Sequence, residues 1–149
     1  HRGVMGTLHA NSARETLVRL TSPPINVPLS MLSSLNLIIM QNRIHDRRKG
    51  TLRRITEIAE LVPSEDLSMP QLQILYQWDP VTDKLNATGL SSFYLELLSK
   101  YAGLAVPDLM AQVGKRADAL KALGDQGIRS LSEVSQITQN YLASARFKV

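Results

Sequence analysis

Apolar positions along this chain change their spacing as it proceeds, and the changes mark out its elements. An apolar run, Val4-Met5-Gly6-Thr7-Leu8, ends in His9 and small polar residues, and residues 4–9 read as a buried strand. Ser12 with Glu15 three positions on forms a capping box that opens a helix over 12–21, with Leu17, Val18 and Leu20 as its apolar content. Ser22-Pro23-Pro24 stops it, because proline lacks a backbone donor and disfavours helical geometry in the residue before it. A short helix follows from Pro28 to Leu35, with proline suited to the first helical position. Leu37 to Ile44 reads as a strand, residues 45–50 as a turn, and Thr51 to Val62 as a returning strand. In that second arm Ile55, Ala59 and Leu61 share a face with Glu57, while Leu52, Ile58 and Val62 take the other. Both faces are partly apolar, as in a strand covered on each side.

Pro63-Ser64-Glu65-Asp66 is a polar break and marks an expected boundary between 1–62 and 63–149. Beyond it Leu72, Ile74, Tyr76 and Trp78 alternate with Gln71, Gln73, Leu75 and Gln77, the pattern of a strand with one buried face. Asp79 to Asp83 turn the chain into a short strand, Lys84 to Thr88, which completes a β-hairpin over 70–88 at a sheet edge. The spacing then becomes helical over 91–145. Stripes run through Phe93, Leu97 and Tyr101, ended by Gly103, then Val106, Val113 and Leu120, ended near Gly124 and Gly127, and finally Leu131, Val134 and Ile137; Ser130 with Glu133 caps the last. Three one-sided helices are expected to pack as a small bundle. The fold class is therefore α/β in the first part, followed by a β-hairpin and a helical subdomain.

Composition adds bounds. A chain of 149 residues with 44% hydrophobic and 20% charged residues can bury a core. Zero cysteines exclude a disulfide framework and a cysteine metal site, and no apolar run approaches the ~18–20 residues of a membrane-spanning helix. No signal-peptide pattern is present. The chain opens on His1, inside what reads as a core strand, so it is expected to be part of a longer protein. The net charge of +4 is uneven: Arg43, Arg47, Arg48, Lys49, Arg53 and Arg54 against Asp46 make the hairpin 43–54 a local +5.

The candidate chemistry lies mainly in Gly6–Glu15. Alternation along a strand makes Thr7 and His9 point the same way, at a strand end followed by a helix N-terminus, a junction suited to an anion. His9 can be read as a hydrogen-bonded structural residue or as one that faces a ligand through its donor N–H. The three histidines lack metal-ligand spacing, so no metal site is expected. No G-x-x-x-x-G-K-[ST] loop occurs, and the sole Gly-Lys pair, Gly114-Lys115, has Leu109 in place of the first glycine. No G-x-S-x-G elbow or acid/base carboxylate pair stands out.

The stretch Gly-Thr-Leu-His-Ala-Asn-Ser followed by Ala-Arg-Glu-Thr resembles the histidine box of the secretion-motor ATPases. That family drives type II and type IV secretion, pilus assembly and the archaeal swimming filament. Ser22-Pro23-Pro24, Val27-Pro28, Leu37–Gln41 and Arg53–Ile58 fit its archaeal branch in order, densely over 1–62 and more loosely beyond. The resemblance implies the C-terminal part of a RecA-like P-loop ATPase domain over 1–62, with the hairpin and helical bundle appended. It implies a hexamer hydrolysing ATP with Mg²⁺ at subunit interfaces, located in the cytoplasm at the inner face of the cell membrane. Its partners there would be a polytopic membrane platform protein and filament or secretion components. Thr7 and His9 would edge the nucleotide, with His9 sensing the γ-phosphate. Without a P-loop this chain alone is expected neither to bind ATP nor to hydrolyse it.

Arg43, Arg47, Arg48, Arg53 and Arg54 are expected at an interface, with a neighbouring subunit or a membrane partner, or bonded within the fold. Interleaved aromatics are missing, so nucleic acid is not the expected partner. The rival reading is a non-catalytic interaction module whose basic hairpin 43–54 binds protein or nucleic acid.

Overall fold

The second strand organises the first part of the chain, because it pairs on both sides and a carboxylate on each of its faces meets the start of a helix. The computed structural model describes residues 3–47, 49–64 and 69–146. In chain order the elements are α1 (Ala13–Thr21), α2 (Leu29–Leu32), β1 (Leu37–Asp46), β2 (Gly50–Val62), β3 (Gln71–Asp79), β4 (Lys84–Ala87), α3 (Phe93–Ala102), α4 (Val106–Asp125) and α5 (Leu131–Arg146). The strands form one antiparallel sheet in the order β1-β2-β3-β4. The protein is thus mixed α/β. Two compact units divide the chain, His1–Leu97 and Leu98–Val149. The expected boundary at 62/63 falls between β2 and β3, whose hydrogen bonds keep both strands in one sheet.

The core of the first unit is small and one-sided. Ala13 and Leu17 of α1 meet Ile38, Met40, Ala59 and Leu61 of β1 and β2, and Ala10, Leu35, Leu72 and Ile74 pack around them. Ala13 and Ala59 are fully buried, so helix and sheet approach closely there. Thr16, also buried, directs its hydroxyl back to the Ser12 carbonyl at 3.1 Å and to Met40 Sδ at 3.7 Å.

Two bulges revise the faces read from strict alternation. Met40 pairs with Glu57 but Gln41 pairs with Ile55, so Thr56 is the extra residue. Ile55 therefore lies on the face of Ile58, opposite to Ala59 and Leu61. Asn42 Nδ2 donates to Thr56 Oγ1 at 2.7 Å and pins the bulge. In β3, Ala59 pairs with Ile74 and Ile58 with Tyr76, which makes Leu75 the extra residue. Leu72 and Ile74 consequently join the α1 core while Tyr76 turns to the other face, and Leu75 itself is buried. Thr88 seals this bulge: its N–H donates to the Leu75 carbonyl at 2.9 Å and its hydroxyl to the Ile74 carbonyl at 2.8 Å. Each inserted residue inverts the inside–outside assignment of everything beyond it.

Three further expectations change. Residues 4–9 form no strand; they run irregular and exposed, with Val4 77% and Met5 96% exposed. A strand requires a ladder partner, and no strand of the described residues pairs with this segment. Pro28 is the cap of a one-turn α2, not its first residue. The helical bundle has no buried core: α3 and α4 contain no buried residue, and none lies within 131–144. The longest helix, α4, has alanine at 111, 117, 119 and 122 among lysines and acids, so its stripe is shallow. Gly103 and Gly127, both at positive φ, terminate α3 and α4 as expected, with Leu104 and Ile128 N–H groups closing onto the Ser99 and Leu123 carbonyls. No helix of the described residues is long and apolar enough to cross a membrane.

On the sheet face away from α1, Glu60 is 1% exposed and ends at the start of α3. Its carboxylate accepts from Phe93 N–H at 2.9 Å, Tyr94 N–H at 3.2 Å and Ser92 Oγ at 2.7 Å. Ser92 Oγ in turn accepts from Leu95 N–H at 3.2 Å. A buried anion is tolerable here because it meets the orphan donors and positive end of a helix. Replacing Glu60 with Gln sets an NH₂ group against these donors and leaves one or more unsatisfied. Glu60→Gln is therefore expected to lower stability by about 1–3 kcal/mol in urea denaturation. An unchanged midpoint would show that the cap contributes nothing.

Candidate functional site

Two clusters of candidate residues come from the sequence, and the structure treats them differently. The first is the approach to α1. Ser12, in extended conformation, accepts from Glu15 N–H at 3.1 Å through its hydroxyl, as a capping box requires. The reciprocal arm reaches one residue further back: Glu15 Oε2 accepts from both the backbone N–H and the side-chain amide of Asn11, each at 2.8 Å. Arg19 closes on Glu15 Oε1 at 2.7 Å through Nε. The Asn11 N–H, then Arg19, hold the Glu15 carboxyl below its ordinary range.

The next helix donor is taken from a distance. Glu57 of β2 accepts the Ala13 N–H at 2.9 Å. The anion that the helix N-terminus was expected to attract is thus an internal carboxylate. What remains for an outside ligand is the segment leading into the helix. Thr7 and His9 are both exposed, and neither makes a hydrogen bond within the described residues. The structure brings them to the same approach to α1, and among the described residues no phosphate-binding loop lies beside them.

The second cluster is the β1–β2 hairpin with the β3–β4 turn. Asp83, in left-handed conformation at φ 55° in that turn, receives Arg54 as a fork: Nε to Oδ1 at 2.7 Å and Nη2 to Oδ2 at 2.8 Å. Trp78 Nε1–H donates to Oδ1 at 3.1 Å and Lys49 Nζ lies 3.4 Å from Oδ2. The turn is itself held by Asp79, which accepts from Val81 N–H at 2.8 Å and the Thr82 hydroxyl at 2.6 Å. Arg54 foremost, then the Trp78 indole, keeps Asp83 well below the usual carboxylate range.

The five arginines expected at an interface therefore separate. Arg54 is satisfied inside the fold. Arg43 and Arg53 are exposed cross-strand partners, and Arg47 is exposed beside the turn. Arg48 lies outside the described residues. Among the described residues no group of His, Asp and Glu is arranged to hold a metal. Sequence reasoning missed Glu60 and Asp83. The first carried a signal, a lone acid within Ile58-Ala59-Glu60-Leu61-Val62; the second lay in an ordinary polar turn.

Comparison with known proteins places relatives in one archaeon. The uncharacterized protein MJ0781 of Methanocaldococcus jannaschii is 40% identical over 138 residues, covering 91% of this chain and 19% of that protein. The uncharacterized proteins MJ0900 and MJ1287 of the same organism are 32% and 31% identical, each over 80% of this chain. The matched stretch spans 22% and 44% of their lengths, so the match covers less than half of each of these three relatives. No family model matches the chain.

The Asp83 cluster has a pH signature. A depressed native pKa means its contribution to stability is complete above the unfolded value, near pH ~4, and is lost progressively as pH falls from there through the lower native value, at which the folded carboxylate itself takes up its proton. Emission of Trp78, the single tryptophan, is expected to hold its neutral-pH value while ordinary carboxylates titrate and to change in stronger acid. Asp83→Asn should shift that emission already at neutral pH. A transition centred on the ordinary carboxylate range would contradict the assignment.

Proposed function

We propose that this chain is the C-terminal part of a RecA-like secretion-type motor ATPase, in which ATP hydrolysis within a hexamer drives filament assembly or protein export. The observation that carries this reading is the form of the Gly6–Ser12 segment. It runs exposed, with Thr7 and His9 free to meet a ligand, into a helix start that Ser12 caps locally and Glu57 ties to the central strand. A box presented in this way suits one wall of a pocket whose phosphate-binding loop and Mg²⁺ site belong to another part of the polypeptide.

The apolar surface nearby supports it. Val4, Met5 and Leu8 are exposed, and Leu37 and Ile39 are exposed on β1, an edge strand of the sheet. Long apolar edges are ordinarily covered in a finished protein. A RecA-like core would extend the sheet over β1 and give residues 4–9 the ladder partners they lack here. The intact motor would work in the cytoplasm at the inner face of the membrane, against a platform protein and filament or secretion components.

In this scheme His9 donates a hydrogen bond toward the γ-phosphate and loses that contact on hydrolysis, so it senses the nucleotide. Arg14 and Glu15 match the same box; Glu15 is engaged with Asn11 and Arg19 and is structural. In a polypeptide joining this chain to its P-loop core, His9→Ala is expected to lower ATP turnover about ten-fold or more while leaving circular dichroism and hexamer size intact. Unaltered turnover would remove His9 from the mechanism. Tight binding of an ATP analogue to the 149-residue chain alone, measured by calorimetry, would show that the site is not divided as described.

A further inference from the structure

Arg43 and Arg53 sit directly opposite one another in the β1–β2 register, and both are exposed. Neither has an ion-pair partner among the described residues. Like charges facing across an antiparallel pair destabilise it, with Cα atoms only about 4.5–5.5 Å apart. The fold has the means to neutralise an arginine of this hairpin, since Asp83 does so for Arg54, yet it leaves this pair uncompensated. The neighbours on the same strand faces are Gln41, His45, Thr51 and Ile55, none of them acidic. Asp46 alternates onto the other face and spends Oδ1 on the Lys49 N–H at 2.7 Å, which holds the turn.

We infer that the Arg43–Arg53 pair is a docking site for an acidic segment of a protein partner, which places carboxylates in the two guanidinium forks. Charge complementarity and fork geometry both fit a carboxylate, which each guanidinium grips through two parallel N–H bonds. Nucleic acid fits less well. The ribbon from Gln41 to Ile55 contains no Phe, Tyr or Trp on which a base stacks, and a pair of forks is a short footprint for a phosphate backbone. A bilayer surface fits less well too, because the immediate neighbours of the pair are Gln41, His45 and Thr51 with a half-buried Ile55, and none of them is an exposed large apolar side chain. This site stands independently of the nucleotide assignment, since it uses neither His9 nor the apolar part of β1.

The test titrates a short peptide of alternating Glu and Thr into the isotope-labelled chain, followed by amide NMR at about 0.15 M salt, where non-specific attraction is screened. Shifts are expected to concentrate in residues 41–45 and 51–55. Arg43→Ala or Arg53→Ala should weaken binding about ten-fold or more, and the double Arg→Lys variant, which keeps charge but loses the fork, several-fold. Arg116→Ala, on α4, should leave it unchanged. Each alanine variant should also melt at the same temperature as the parent chain or higher, because it removes a repulsion. Equal affinity in the alanine or lysine variants would overturn the proposal. So would a DNA duplex or a phosphatidylserine vesicle that binds through the same two arginines more tightly than the peptide.

Discussion

Everything in the first unit depends on what β2 does with two carboxylates. Glu57 and Glu60 project from opposite faces of this central strand, and each ends at the start of a helix: Glu57 at Ala13 of α1, Glu60 at Phe93 and Tyr94 of α3. A helix N-terminus has donors without partners, and a partly or fully buried carboxylate has acceptors without partners. Joining them satisfies both and fixes where each helix begins. The apolar contacts of Ala13 and Leu17 with Ala59 and Leu61 then follow, since the helix already starts at the right place on the sheet.

The bulges serve the same geometry. An unbroken β2 and β3 would keep period two from end to end, and the core under α1 would draw on different residues. The extra residues Thr56 and Leu75 instead let the strand ends near α1 present Ala59, Leu61, Leu72 and Ile74 inward. Beyond Thr56 the hairpin is free of the core and carries charge. That division separates an apolar half of β1, at Leu37 and Ile39, from a basic half around Arg43. The two halves suit different neighbours: more sheet beside the first, an acidic surface beside the second.

The candidate nucleotide edge and the basic hairpin are thus held by one strand but have separate chemistry. At the first, the helix dipole is already engaged by Glu57, so any phosphate recognition must come from side chains ahead of the helix. At the second, Asp83 removes Arg54 from the pool of available cations, and Trp78 and Lys49 help to hold Asp83 in place. Among the described residues of the basic patch, the exposed arginines without an ion pair are the Arg43–Arg53 pair and Arg47.

Local signals settled much of this protein without any coordinates. Ser12 and Ser130 cap their helices, Gly103 and Gly127 end theirs at positive φ, and the hairpins turn where polar residues cluster, because each depends on residues a few positions apart. Residues 4–9 misled for a physical reason: an apolar run states what a segment would bury, and the ladder that would make it a strand has to come from elsewhere. Single inserted residues at Thr56 and Leu75 leave no mark in a hydrophobic pattern, yet they reverse the faces beyond them. Long-range pairs such as Glu60 with α3 and Asp83 with Arg54 were open to the structure alone, since their partners lie about thirty positions apart and only packing brings them together.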